Sequence, residues 1–145
     1  MIKKLILATL AGSVVQYLLG WLIYGLLLAN FMNSHTTHYE GLMKDMNTGS
    51  FMILVFLSGL VMSFLITFIF QRWAKFEKPL MGLTGGMLLG FLLALSYDLY
   101  FLASMNISSV GAMIVDIIAN TIVVGIVGAV IACVLGFKSK AVPAQ

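Results

Sequence analysis

Residues 51–71 read FMILVFLSGLVMSFLITFIFQ, a run with no charged side chain that ends at Arg72. A helix of this length covers the ~30 Å hydrocarbon core of a bilayer, which takes roughly 20 residues. A strand would alternate apolar and polar positions, and this run does not. In lipid only helices and closed barrels satisfy every backbone group, so the run reads as a transmembrane helix. Three more segments have the same character, at about 5–31, 80–105 and 109–137. The expected fold is all-α: one polytopic membrane domain, a bundle of four transmembrane helices, with an outer loop at 32–50.

Composition agrees. The chain has 145 residues, 61% hydrophobic and 9% charged, with a net charge of +3. Its mean hydropathy is +1.09. Soluble domains carry roughly 25% charged residues, so a cytosolic enzyme, a nucleic-acid binder and a disordered chain are all excluded. The single Cys133 leaves no disulfide framework, thiol relay or cysteine-based zinc site.

The charges that remain are sorted by position. Lys3 and Lys4 precede the first span, Arg72, Lys75 and Lys78 separate the second and third, and Lys138 and Lys140 follow the fourth. Only Lys44 lies on the other side. The positive-inside rule then puts both termini and the second connection in the cytoplasm. The first apolar run exceeds the 7–15 residues of a signal-peptide core, so it is read as a span. The polar tail at 138–145 carries no lipidation motif.

The loop at 32–50 is the one connection long enough to hold structure. Thr37 and Glu40 have capping-box spacing. Tyr39, Leu42, Met43 and Met46 follow at helical intervals until Asn47-Thr48-Gly49, and Glu40 and Lys44 form an i,i+4 pair. This predicts a short amphipathic helix on the outer surface. His35 and His38 are weak metal candidates at the edge of that helix. They are read first as solvated loop histidines, and neither a metal nor a cofactor is expected.

Small residues form ridges. Gly82, Gly86, Gly90 and Ala94 recur every four positions, Gly59 precedes Ser63 and Thr67, Gly128 precedes Ala132, and Gly12 and Gly20 bracket Gln16. Such ridges let helices approach closely in lipid. The phenylalanines of the second span (Phe56, Phe64, Phe68 and Phe70) are expected to face lipid.

Packing does not explain Asp98 and Asp116. An acid at the middle of a membrane helix costs roughly 2.5–3.5 kcal/mol on insertion scales and usually faces protein or water. With the outer turn centred on Ile107, the two acids fall nine residues before it and nine after. An antiparallel hairpin therefore brings them to one depth. Asn120 follows Asp116 by four, while Tyr24 and Ser58 lie near the outer ends of their own spans. The expected polar layer is Tyr24, Ser58, Asp98, Asp116 and Asn120, with Gln16 deeper. No Lys or Arg lies within the spans beside the acids. Dry and adjacent, they would share a proton; reached by water, they would stay ionised and attract cations. The first reading is structural: polar glue between helices, with each acid hydrogen-bonded to neighbours or hydrated from the outer rim.

Known chemistries of small membrane proteins are missing. There are no paired cysteines, no histidines within the spans, no glutamate in the first span (which has Gln16 instead) and no protease motif. An enzyme is not expected. Gly20-Trp21-Leu22-Ile23-Tyr24-Gly25, the loop run Tyr39-Glu40-Gly41-Leu42-Met43-Lys44-Asp45, and Asp116 with Asn120 resemble a family of small bacterial four-helix membrane proteins. The resemblance is to members from Bacteroidetes-type bacteria, described as a domain of unknown function. It implies a bacterial cytoplasmic membrane and no activity.

The leading functional expectation is a non-enzymatic protein acting through helix packing. It would be a homo-oligomer or an accessory subunit of another membrane protein, with the lipid bilayer as its other partner. The second is a proton- or cation-coupled transporter or channel built on Asp98 and Asp116. The third is a lipid or amphiphile pocket roofed by the loop.

Overall fold

The structure is a computed structural model that describes residues 2–41 and 48–137. Helix α1 spans Ile2–Gly20 and continues as a π-helical stretch over Trp21–Leu27. A short α2 (Ala29–His35) carries the run further. Helix α3 (Gly49–Ile69) also ends in a π turn, Phe70–Ala74. Helices α4 (Pro79–Ser104) and α5 (Val110–Gly136) form the second half. Four of these helical stretches, of 26, 26, 26 and 27 residues, are long and apolar enough to cross a membrane.

Local sequence sets the helix starts. Thr48 and Ser109 cap α3 and α5, each accepting the amide N–H three residues on, from Phe51 and Ala112. Both satisfy a donor the first turn leaves open. Pro79 begins α4, where its missing N–H costs nothing. At the end of α3 the turn closes on Lys75, whose φ of 50° is left-handed, and the Phe76 amide returns to the Phe70 carbonyl at 3.1 Å.

Helix α5 is the centre: 50% of its most apolar window is buried, against 22–28% for the other three. Ile66, Phe70, Val124, Val127 and Ile131 form the core together with Ala8 and Ala132. Outward-facing residues such as Leu7, Val61 and Leu88 are exposed. Soluble monomers rarely expose apolar surface on this scale; in a bilayer it is what lipid covers.

Helices α4 and α5 approach most closely. A Cβ on Gly82 would meet the Gly128 carbonyl and the Ala132 side chain, and one on Gly128 would meet the Gly82 carbonyl. Gly86 and Gly90 lie against Val124 in the same seam. Across the α1–α3 seam, Gly59 faces the Gln16 side chain, and Ser63 Oγ donates to Gln16 Oε1 at 3.3 Å.

Two expectations need correction. Phe70 does not face lipid: it is 1% exposed and its ring lies 5.0 Å from that of Phe76. Phe70 continues the buried stripe of Gly59, Ser63, Ile66 and Thr67 at α-helical spacing, which turns the ring inward. No helix starts at Thr37 either. Residues 37–39 are non-helical, Glu40 and Gly41 form a turn, and the Thr37 amide is taken by the Ile107 carbonyl at 2.7 Å. The rest of that expected helix, Leu42 to Asn47, lies outside the described residues, as do Lys138 and Lys140.

Candidate carboxylate site

Asp98 lies six residues before the end of α4 at Ser104, and Asp116 lies six after the start of α5 at Val110. At 1.5 Å per residue both are about 9 Å from their helix ends. The matched depth brings the two carboxyls within hydrogen-bonding reach of each other. Tyr24, from the π-helical stretch after α1, brings its hydroxyl within reach of Asp116. A π stretch holds more residues per turn than an α-helix and re-aims the side chains that follow; such bulges recur at functional sites.

The pair borders a half-open cavity of about 290 Å³. Asp98 and Asp116 supply its acidic wall, and Met32, Phe101, Leu102 and Met113 supply apolar surface. Ile107 and Ser108, in the α4–α5 turn, close one side. Thr36 pairs with Ser108 as an isolated antiparallel bridge, with the Ser109 amide on the His35 carbonyl at 3.1 Å. Both acids are half-buried, and Asp98 Oδ2 is buried without a hydrogen-bond partner. A buried carboxylate oxygen left in this state costs roughly 1–3 kcal/mol or more, so the site is not one that folding alone would favour.

Of the expected polar layer, Tyr24, Asp98 and Asp116 meet. Asn120 is half-buried one turn further along α5 and does not line the cavity. Ser58 is exposed on α3. Gln16 belongs to a separate polar seam with Ser63 and Gly59. The histidines are both exposed. His35 stacks on Phe31 at 4.2 Å with Nδ1 on the Phe31 carbonyl, and His38 Nε2 lies 3.0 Å from the Asn33 carbonyl. Among the described residues no three His, Cys, Asp or Glu side chains gather as a metal site.

Sequence reasoning missed the bridge at Thr36 and the apolar wall from Met32. Neither residue carries a local signal, because both act through contacts with the distant α4–α5 turn.

The fold and site together describe a multi-pass membrane protein with a two-carboxylate cleft near one set of helix ends. Against protein-family models, curated proteins and solved structures, the chain has no significant match.

Proposed function

We propose that this is a non-enzymatic protein of a bacterial cytoplasmic membrane that takes up a proton or a small cation at Asp98 and Asp116. The observation that carries this reading is the approach of the two carboxyls, with no basic side chain among the described residues that line the cavity. Ionised carboxylates are acceptors only, so two of them can meet stably only around a proton or a cation. The Tyr24 hydroxyl lies within reach of Asp116. The apolar walls suit the alkyl groups of an organic cation, and the opening gives it an approach. With both termini cytoplasmic, by the positive-inside rule, the cleft opens toward the outside.

A role through helix packing alone would rest on the small-residue ridges. Those ridges face neighbours within the same chain: Gly82, Gly86 and Gly90 against α5, and Gly59 against α1. The acid pair is the feature that this packing does not use. Four helices enclose a narrow interior, so a continuous path across the membrane would require a second copy.

The test is flux. Proteoliposomes holding a pH-sensitive dye are given an inward gradient of Na⁺, K⁺ or an alkylammonium ion. At least one gradient should drive proton movement faster than in liposomes carrying the Asp98→Asn, Asp116→Asn double variant. Equal rates for wild type and variant in all three gradients overturn the proposal.

A further inference from the structure

The opposite end of the molecule holds a second cavity, of about 460 Å³. Lys4 enters it from the first turn of α1, Arg72 comes from the π turn after α3, and Lys75 caps that turn. Phe70, Phe76 and Leu135 form an apolar floor, and Glu77 brings the one opposing charge. Three cations against one carboxylate leave the cavity at +2.

Charge at this end is expected for topology, since basic residues collect on the cytoplasmic side. Topology alone asks only that they lie on that side. It does not require residues 4, 72 and 75 to converge on one hollow, and here the convergence is built. Lys4 Nζ donates to the Leu135 carbonyl at 3.1 Å, which holds the ammonium at the cavity instead of letting it trail in water. Lys75 has a left-handed backbone at the turn that leads to Phe76, and the Phe70 and Phe76 rings pair across the floor. Trp73 is 72% exposed beside the site and meets Phe68 edge-on at 5.8 Å, the placement of an aromatic anchor at headgroup depth.

We propose that Lys4, Arg72 and Lys75 bind the phosphate of an anionic phospholipid headgroup, with Phe76, backed by the buried Phe70 and Leu135, against the glycerol and upper acyl region. The occupant is a lipid and not free phosphate because the cavity joins cations to an apolar floor at the end of lipid-facing helices. Basic pockets between transmembrane helices capture anionic headgroups in this way, at about fivefold in affinity per cation. The site is independent of the carboxylate cleft, so the failure of one leaves the other standing.

Native mass spectrometry of the full-length protein, released from nanodiscs of phosphatidylcholine with one-fifth phosphatidylglycerol, reads the retained lipid. Wild type should keep phosphatidylglycerol in preference to phosphatidylcholine. The Arg72→Gln, Lys75→Gln variant should lose about 25-fold of that preference, while a Lys3→Gln, Lys78→Gln control with the same net charge should keep it. Glu77→Gln should strengthen retention, a gain that misfolding would not produce. Equal loss in the two double variants, or no gain in Glu77→Gln, overturns the site. Displacement of the lipid by millimolar inorganic phosphate overturns the choice of a lipid as occupant.

Discussion

Thr36 and Ser108 pair as an antiparallel bridge, which ties the far end of the first helical run to the α4–α5 turn beside the Asp98–Asp116 cavity. Directly opposed residues in such a pair have Cα atoms about 4.5–5.5 Å apart, inside the range a disulfide accepts. In a Cys133→Ser background, the Thr36→Cys, Ser108→Cys variant should therefore oxidise to an internal disulfide. Thiol counting before and after mild oxidant reads the outcome. Two thiols that persist would show that the bridge is not formed in the membrane.

Tyr24 brings its hydroxyl within reach of Asp116. Tyr24→Phe should lower stability by about 0.5–1.5 kcal/mol, the net worth of one hydrogen bond. In an Asp116→Asn background the same change should cost less, because the two residues share one interaction. Thermal melting of the four proteins in one detergent gives the cycle, and strictly additive losses would separate Tyr24 from the acid.

Gly82 and Gly20 are both helical glycines with opposite surroundings. Gly82→Ala drives a methyl into the Gly128 backbone and should cost about 1–3 kcal/mol, as overpacking does. A Cβ on Gly20 meets nothing within 4 Å, so Gly20→Ala should be neutral or stabilise by up to about 1 kcal/mol. Unfolding in mixed detergent and SDS compares them; equal losses would remove the α4–α5 seam as the reason.

Gln16 accepts from Ser63 across the α1–α3 seam and sits apart from the acids. Interhelical hydrogen bonds in membranes average about 0.6 kcal/mol, so Gln16→Ala should have a small effect of that order on stability. Ion-driven proton flux should stay at the wild-type rate. A flux loss matching that of the double Asp variant would return Gln16 to the acidic layer.

The depth of Asp98 and Asp116 was legible because a short turn joins two antiparallel helices, and counting from that turn fixes how far each residue lies below it. The same counting put Ser58 at the depth of the acids, but it is exposed on α3, and Gln16, expected deeper, packs in the α1–α3 seam. Depth does not give rotation about the helix axis. Tyr24, grouped with the acids by depth, does come within reach of Asp116, from a π-helical stretch. Phe70 turns inward because it falls on the stripe of Gly59, Ser63, Ile66 and Thr67, and hydropathy alone does not say which stripe of an all-apolar helix meets protein.

The sequence by itself determined an all-α chain with four membrane-length helices, because length and apolarity are properties of each segment alone. Tertiary structure decided which faces meet. In lipid an apolar face is equally soluble toward a neighbour or toward acyl chains, so hydropathy does not choose between them. Small residues that allow close approach choose instead, together with the few polar groups that must find partners. These join Gly82 to Gly128 and Gln16 to Ser63, and they bring Asp98 and Asp116 to one cleft.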